Sequence, residues 1–539
     1  MPCSLLAEEF LKKRIKNRPL IGSTAMSRLS QDDDRVRDSY EQVPYPALSH
    51  PEAQPDVLAT LAFLHGIDPP PLATCRVLEL GCAAGTNLMP AALRLPGARF
   101  VGIDLSPGQI EAGRRRVEAL GLTNVELRVV SFRSLFDEVG TELGTFDYII
   151  AHGLYSWVAE PLQDEILRLC GERLSPHGVA YLSYNTLPGW HADLKLRGIL
   201  QYHNRGLTDP RAITDRSLDL IGFLADAAAG LGDEDHAQAL RTARRRMESF
   251  RTRPSYLLHD YLEDSNFPVY FHQLAASAAR HGLQYLSDAE PAANLIDDLP
   301  PAVADGLREL AGDRIELEQY IDFLRDRRFR RTLLCHQGIA LDRTMVPRRM
   351  KSLWAASEVT LDSSPPDLAP GVPVSFRNAA GAAFSSTHAV AKAALVHLST
   401  AWPRAVLFDD LLRGIRERRA AQEALEGTGG VGEVESLADI LHTLFFAGVV
   451  RLHLVPPECA GAPGDRPRVT PLARLQAAAG ELITNQLCRT LEIEDEDTRR
   501  LLLHLDGRHD RTALAGLVGK DLGWIEGQLG RLVEVGLLT

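Results

Sequence analysis

The chain has few cysteines. The seven in 539 residues include no CxxC pair and no zinc spacing. Cys3, Cys75, Cys82, Cys170, Cys335, Cys459 and Cys488 read as ordinary thiols of a reducing, cytoplasmic compartment, and no metal is expected. Long apolar runs are missing too. Leu437 to Val455, the most apolar C-terminal stretch, is interrupted by Asp439, His442 and Arg451, and nothing reaches the roughly 20 apolar residues of a membrane span. Glu8 and Glu9 occupy the place where a secretory signal needs its apolar core. Positive charge is in deficit: 59 Lys and Arg against 71 Asp and Glu give a net charge of −12. That argues against broad nucleic-acid binding, which needs clustered cations, and suits a cationic ligand better. The runs Arg114-Arg115-Arg116, Arg244-Arg245-Arg246 and Arg327-Arg328-Phe329-Arg330-Arg331 read as solvated helix faces.

What remains is a globular composition, 45% hydrophobic and 24% charged, too long for one core. Residues 1–35 read as an N-terminal arm. Residues 36–192 form a first, α/β domain. In it, strands at Arg76–Leu80, Arg99–Asp104, Val125–Val130, Phe146–Ala151 and Val179–Tyr184 alternate with helices, as in a parallel sheet covered on both faces. A mainly helical middle domain spans 193–362. There Tyr256–Leu262, a helix at 272–281 and Leu283–Leu286 offer further elements to the first sheet. After the Pro-rich stretch Ser363-Ser364-Pro365-Pro366 come two winged-helix-like modules, 363–460 and 461–539.

The chemistry gathers at the ends of the first strands. Val77-Leu78-Glu79-Leu80-Gly81-Cys82-Ala83-Ala84-Gly85 is a strand running into a small-residue turn. Gly81 and Gly85 let backbone approach a ligand, and the following helix offers free N–H groups. The dinucleotide pattern GxGxxG is absent. Instead Glu79 stands two residues before the first glycine, where its carboxylate would repel a pyrophosphate and suit an ammonium. Asp104, followed by Leu105, ends the second strand and is placed to accept from ribose hydroxyls. Ser131 and Phe132 follow the third strand as candidates to flank an adenine. His152, Gly153, Tyr155 and Trp157 follow the fourth, and Tyr184 and Asn185 end the fifth. Aromatic faces at such a mouth stabilise a sulfonium or an alkylammonium.

Three strings carry a family resemblance: HGLYSW (152–157), SYNTLPGWH (183–191) and YLLHDYLEDSNFPVYFHQL (256–274). With YEQVPYP (40–46) and the tail from Pro471 to Gly507, the chain resembles bacterial class I methyltransferases that carry a methyltransferase regulatory domain. Among these it is similar to protein-lysine methyltransferases acting on outer-membrane proteins. The resemblance implies a Rossmann-like fold, S-adenosylmethionine as cofactor, a winged-helix-like C-terminal domain, a protein substrate and a homodimer. It implies that Glu79, Gly81, Cys82, Ala83 and Gly85 surround the methionine end. Asp104 and Leu105 would meet the ribose, and Ser131 and Phe132 the adenine. His152 and Gly153 would lie near the methyl, with Tyr40 and Tyr45 closing over the cofactor. Tyr155, Trp157, Tyr184 and Asn185 are the expected substrate wall. One departure is Ala83, where most such enzymes have glycine. It is compatible with the turn if its φ is negative, and cofactor binding is then expected to be weaker rather than absent. Two other readings stay open: a methyltransferase of peptides or small metabolites, and a non-catalytic S-adenosylmethionine-binding regulator.

Overall fold

The computed structural model describes residues 48–130, 144–252, 254–263, 265–294, 296, 299–343, 347–362, 366–423 and 433–539. The expected arm at 1–35, Tyr40, Tyr45, Ser131 and Phe132 lie outside the described residues.

Short apolar runs become strands that, apart from the edge strand Val125–Val129, are largely buried on both faces, which is what a parallel sheet requires. The strands are β1 (Arg76–Leu80), β2 (Arg99–Asp104), β3 (Val125–Val129), β4 (Phe146–Ala151), β5 (Leu174–Asn185), β6 (Leu283–Asp288) and β7 (Phe329–His336). Their order across the sheet is β3-β2-β1-β4-β5-β7-β6. β1 to β5 run parallel, and β7 lies antiparallel between β5 and β6. The chain moves from β1 outward to β2 and β3, then returns to β4 on the other flank of β1. This switch opens a crevice at the carboxyl ends of β1 and β4.

Alternation along each strand divides the core. Leu78, Leu80, Ile103 and Ile149 pack on one face with α4 (Glu160–Arg173) and α8 (Phe271–Arg280). Val77, Phe100, Tyr148 and Ile150 pack on the other with α1 (Pro55–Leu64) and α2 (Met89–Arg94). α3 (Pro107–Ala119) starts as its sequence demands, with Ser106 Oγ accepting from the Gln109 N–H at 3.1 Å and Pro107 at the first position.

Between β5 and α8 the chain builds a separate helical layer from α5 (Trp190–His203), α6 (Pro210–Gly230) and α7 (Glu234–Met247). Its core includes Leu200, Leu218, Ile221, Leu240, Met247 and Leu257. Tyr256–Leu262 is not the expected strand. It is a short helix, Pro254–Leu257, running into a π-helical turn, Leu258–Leu262. Leu257 and Tyr261, four residues apart, point into that helical core. The expected boundary at 192–193 also moves, because β6 and β7 complete the first sheet. The helical layer is an insertion into the sheet domain rather than a domain after it.

Arg327–Arg331 is likewise not a solvated helix face. It leads into β7, and Arg330 is fully buried. Its guanidinium donates to both Asp322 oxygens at 2.7 and 2.9 Å and to Glu318 Oε2 at 3.0 Å. It also lies 3.2 Å from Asp288 Oδ2 and 4.0 Å from the Phe271 ring centroid. One side chain thus ties α10 (Arg314–Arg325), β6 and α8 to β7, with α9 (Pro301–Leu310) packed against α10.

A third body follows, with a three-stranded antiparallel sheet of Trp354–Ala356, Val406–Leu407 and Arg451–His453. Its helices are Ala389–Ala401, Phe408–Glu423 and Glu433–Phe446. Its first strand precedes the expected start at 363. The last body has helices Pro471–Ala478, Glu496–His504, Arg511–Val518 and Leu522–Glu534, the last three capped by Asp495, Asp510 and Asp521. Among the described residues, no helix is long and apolar enough to cross a membrane.

Removing Arg330 takes the one fully buried cation from three buried carboxylates, leaving Arg327 to Asp288 and Asp322 and Arg314 to Glu318. Arg330→Met is expected to destabilise the sheet domain by about 3–5 kcal/mol at pH 8. The loss should be smaller at pH 5, because burial pushes Asp288 up to about 6 and it then takes a proton. Urea unfolding at the two pH values, followed by circular dichroism, measures both.

Candidate cofactor and acceptor site

A cavity of about 410 Å³ opens at the switch point, a size typical of small-molecule sites. Its floor is the β1 turn. Gly81 and Gly85 have φ of +70° and +69°, and Ala83 has φ of +48°. The expected negative φ at Ala83 is therefore not found. Its strained backbone is held by its N–H, which donates to Asp104 Oδ2 at 2.8 Å. Gly85 does not line the cavity. A Cβ there would come within 2.9 Å of Leu127, so this glycine serves helix–strand packing.

Glu79 sits at the centre, 3% exposed. Oε1 accepts from Asn87 Nδ2 at 2.8 Å, while Oε2 is buried with no hydrogen-bond partner among the described residues. Asn87 in turn accepts from the His50 N–H at 2.8 Å and from Gln54 Nε2 at 2.9 Å. Burial, reinforced by the charge of Asp104, pushes the Glu79 carboxyl up to about 8 against the pull of Asn87. Asp104 is also raised by burial, although it accepts from the Ser106 N–H at 2.9 Å as well as from Ala83. Thr86 Oγ1 is a second buried cavity atom with no partner among the described residues.

Two imidazoles form one side. The His50 and His152 rings stack at 3.5 Å. Burial, then Arg331, lowers His50 to about 4, and burial takes His152 well below its usual value, so both are neutral at pH 7. His152 Nδ1 meets Tyr181 Oη at 2.9 Å, and the Gly153 N–H donates to Ser183 Oγ at 2.7 Å. His50, Glu52 and His152 bring one donor atom each within 4.8 Å of one another. However, Glu52 is paired with Arg331 at 2.8 Å and the rings lie face to face, an arrangement unlike a metal shell.

The structure brings Glu79, Gly81, Cys82, Ala83, Asp104, Leu105, His152, Gly153, Trp157 and Asn185 to this cavity. It does not bring Tyr155 or Tyr184. Tyr155 turns into the core and meets Tyr184 edge to face at 5.9 Å. Tyr184 bonds Thr332 at 2.9 Å. The period of two along β5 puts Tyr181, Ser183 and Asn185 on one face and Tyr184 on the other. Thr86 and Asn87, which follow the Gly81–Gly85 turn in the same motif, also line the cavity, as do His50, Gln109, Tyr256, Asp260 and Phe329, to which the sequence assigned no role. Tyr256 and Asp260 lie within the string that carried the family resemblance, which was the available signal. No Lys or Arg is among the described lining residues.

Comparison with known proteins agrees with this geometry. Residues 78–180 match a model described as a methyltransferase domain, 253–336 one described as a predicted methyltransferase regulatory domain, and 465–522 one described as the PKMT C-terminal winged helix domain. An uncharacterized protein of Rickettsia prowazekii is 39% identical over 306 residues, 57% of this chain and 54% of that protein. The chain thus spans about half the length of that relative. A second uncharacterized protein of the same organism is 36% identical over 248 residues, which is 46% of this chain and 96% of that protein. The structure of PKMT2 from Rickettsia typhi in complex with AdoHcy superposes with a TM-score of 0.80 at 28% identity, covering 92% of this chain and 100% of that one. The chain belongs to the S-adenosylmethionine-dependent methyltransferases that join a methyltransferase domain to a methyltransferase regulatory domain and a PKMT-type winged helix.

Proposed function

We propose that this protein methylates lysine side chains of protein substrates. The observation that carries the reading is the cavity itself: a buried carboxyl with an unfilled acceptor, rings at the mouth, and no cation among the described lining residues. These features suit a ligand bearing a sulfonium and an ammonium, and disfavour a pyrophosphate. When bound, S-adenosylmethionine supplies a methyl group already activated by its positive sulfur. Glu79 and Thr86 would hold its amino-acid end, beside the backbone of Gly81, Cys82 and Ala83. Asp104 and Leu105 would meet the ribose, His152 and Gly153 would border the methyl, and Trp157 and Asn185 would border the acceptor. The likeness to PKMT2 supports a protein acceptor. The protein's task is then to position the groups and exclude water.

A buried Glu79 keeps its proton in the empty protein up to about pH 8. A cation at Oε2 favours the ionised form, so binding expels that proton. Affinity for S-adenosylmethionine is expected to rise about tenfold or more between pH 6 and 8 and to level off above, and Glu79→Gln to lose the slope. Calorimetry across that range reads this directly. Ala83→Gly should remove the left-handed strain and stabilise the sheet domain by about 1 kcal/mol, visible as a higher urea midpoint.

The functional reading is tested with Trp157→Ala and methyl-labelled donor offered to bacterial proteins. Labelling of lysine is expected with the unaltered protein. The variant should turn over at least tenfold more slowly with nearly unchanged cofactor affinity. A variant that loses cofactor binding overturns the placement of Trp157, and label on small molecules alone overturns the protein substrate.

A further inference from the structure

Asn185 ends β5 and lines the cavity, and its side-chain amide meets a residue from far along the chain. We infer that this residue, Asn266, is a positioning residue for the acceptor: it holds the Asn185 amide so that Oδ1 accepts an N–H from the acceptor nitrogen. The inference rests on the methyl-transfer reading above and gives its acceptor a named hydrogen-bond partner. Asn266 belongs to the segment, 253–336, whose family description calls it regulatory.

Three observations support it. First, Asn185 Nδ2 donates to Asn266 Oδ1 at 3.3 Å, and both side chains are buried. Oxygen and nitrogen share one planar group, so an Nδ2 tied to Asn266 leaves Oδ1, an acceptor only, as the end that faces a ligand. No described residue donates to that oxygen. The same face of β5 carries Tyr181 and Ser183, whose hydroxyls are already engaged by His152 Nδ1 and by the Gly153 N–H. Asn185 is the last of the three, and its oxygen is the one still open.

Second, the backbone around Asn266 is stitched to both sides of the site. The Phe267 N–H donates to the Ser156 carbonyl at 2.7 Å, next to cavity-lining Trp157. Gln163 Nε2 donates to the Tyr155 carbonyl at 2.9 Å and to the Phe267 carbonyl at 3.2 Å. On the other side the Val269 N–H donates to the Asn185 carbonyl at 3.3 Å, and Thr186 Oγ1 to the Val269 carbonyl at 2.9 Å. The Asn185 N–H closes the ring by donating to Ser156 Oγ at 2.8 Å. Asn266 is thus fixed between the Trp157 loop and the β5 tip. Its own Nδ2 is buried with no partner among the described residues. An apolar side chain would fill the same space without that cost, so packing alone does not account for an amide here.

Third, the chemistry suits an amine. A free amine carries one lone pair and two hydrogens. An amide oxygen accepts one N–H, does not take the proton, and leaves the lone pair to be aimed. In the transfer that lone pair forms the new N–C bond, and the S–C bond breaks with its electrons left on sulfur. The extra proton of an ammonium leaves to water beforehand. A carboxylate acceptor has no hydrogen to offer and would set oxygen against oxygen.

The test is a double-mutant cycle read by calorimetry on the full chain loaded with S-adenosylhomocysteine. The probes are Nα-acetyl-L-lysine methylamide and its norleucine counterpart, which has the same aliphatic chain without the nitrogen. The unaltered protein is expected to bind the lysine probe about tenfold more tightly. Asn185→Ala and Asn266→Ala should each remove most of that preference and leave norleucine affinity unmoved. The double variant should lose no more than Asn185→Ala alone. Asn266→Asp still offers an oxygen to Asn185 Nδ2 and should restore part of the preference; Asn266→Ser does the same with a hydroxyl if the aspartate does not fold. Additive losses, equal losses on both probes, or an oxygen-bearing variant no better than alanine would overturn the role of Asn266. Probes not distinguished by the unaltered protein would overturn the role of Asn185 with it. S-adenosylhomocysteine affinity is the separate control: if the unaltered protein does not bind it, the methyl-transfer reading falls first.

Discussion

The mouth of the cavity depends on the antiparallel pairing of β7 with β5. That register sets Phe329 against Asn185, Arg330 against Tyr184 and Arg331 against Ser183. One consequence is steric, since Phe329 reaches the cavity across from the β5 tip. The others are electrostatic. Arg330 is drawn into the core, where three carboxylates surround it. Arg331 comes close enough to the His50–His152 pair to help keep it neutral. A pairing between segments about 150 residues apart thus shapes the site.

The charge pattern inside the cavity follows from burial. Glu79 and Asp104 are raised and the imidazoles lowered by the same loss of water. A site built this way disfavours anions and favours cations. The clasp of Glu79, Asn87, Gln54 and the His50 N–H joins the first strand to the segment before α1.

Local signals were legible in the sequence. β1, β2 and β4 have the expected bounds because each is a short apolar run closed by turn residues, and the Gly81–Gly85 turn announced the floor of the site. Non-local consequences were not legible. The apolar spacing of Tyr256–Leu262 fits a short strand as well as a helix, and only the core formed by α5 to α7 decides between them. The arginines around the start of β7 looked like a solvated run because their partners Asp288, Glu318 and Asp322 are scattered along the chain. Tyr155 and Tyr184 stood at the right ends of the right elements, and side-chain direction turned them inward. Ala83 was expected to relax its φ, yet the hydrogen bond to Asp104 holds the turn in the left-handed region.

The central claim is that the crevice between β1 and β4 binds S-adenosylmethionine. Titration calorimetry of the full chain, with NAD as the comparison ligand, tests it most directly. Saturable binding of one S-adenosylmethionine per chain, with no heat from NAD, is the predicted result. No binding of S-adenosylmethionine, or binding of NAD in its place, would contradict the account.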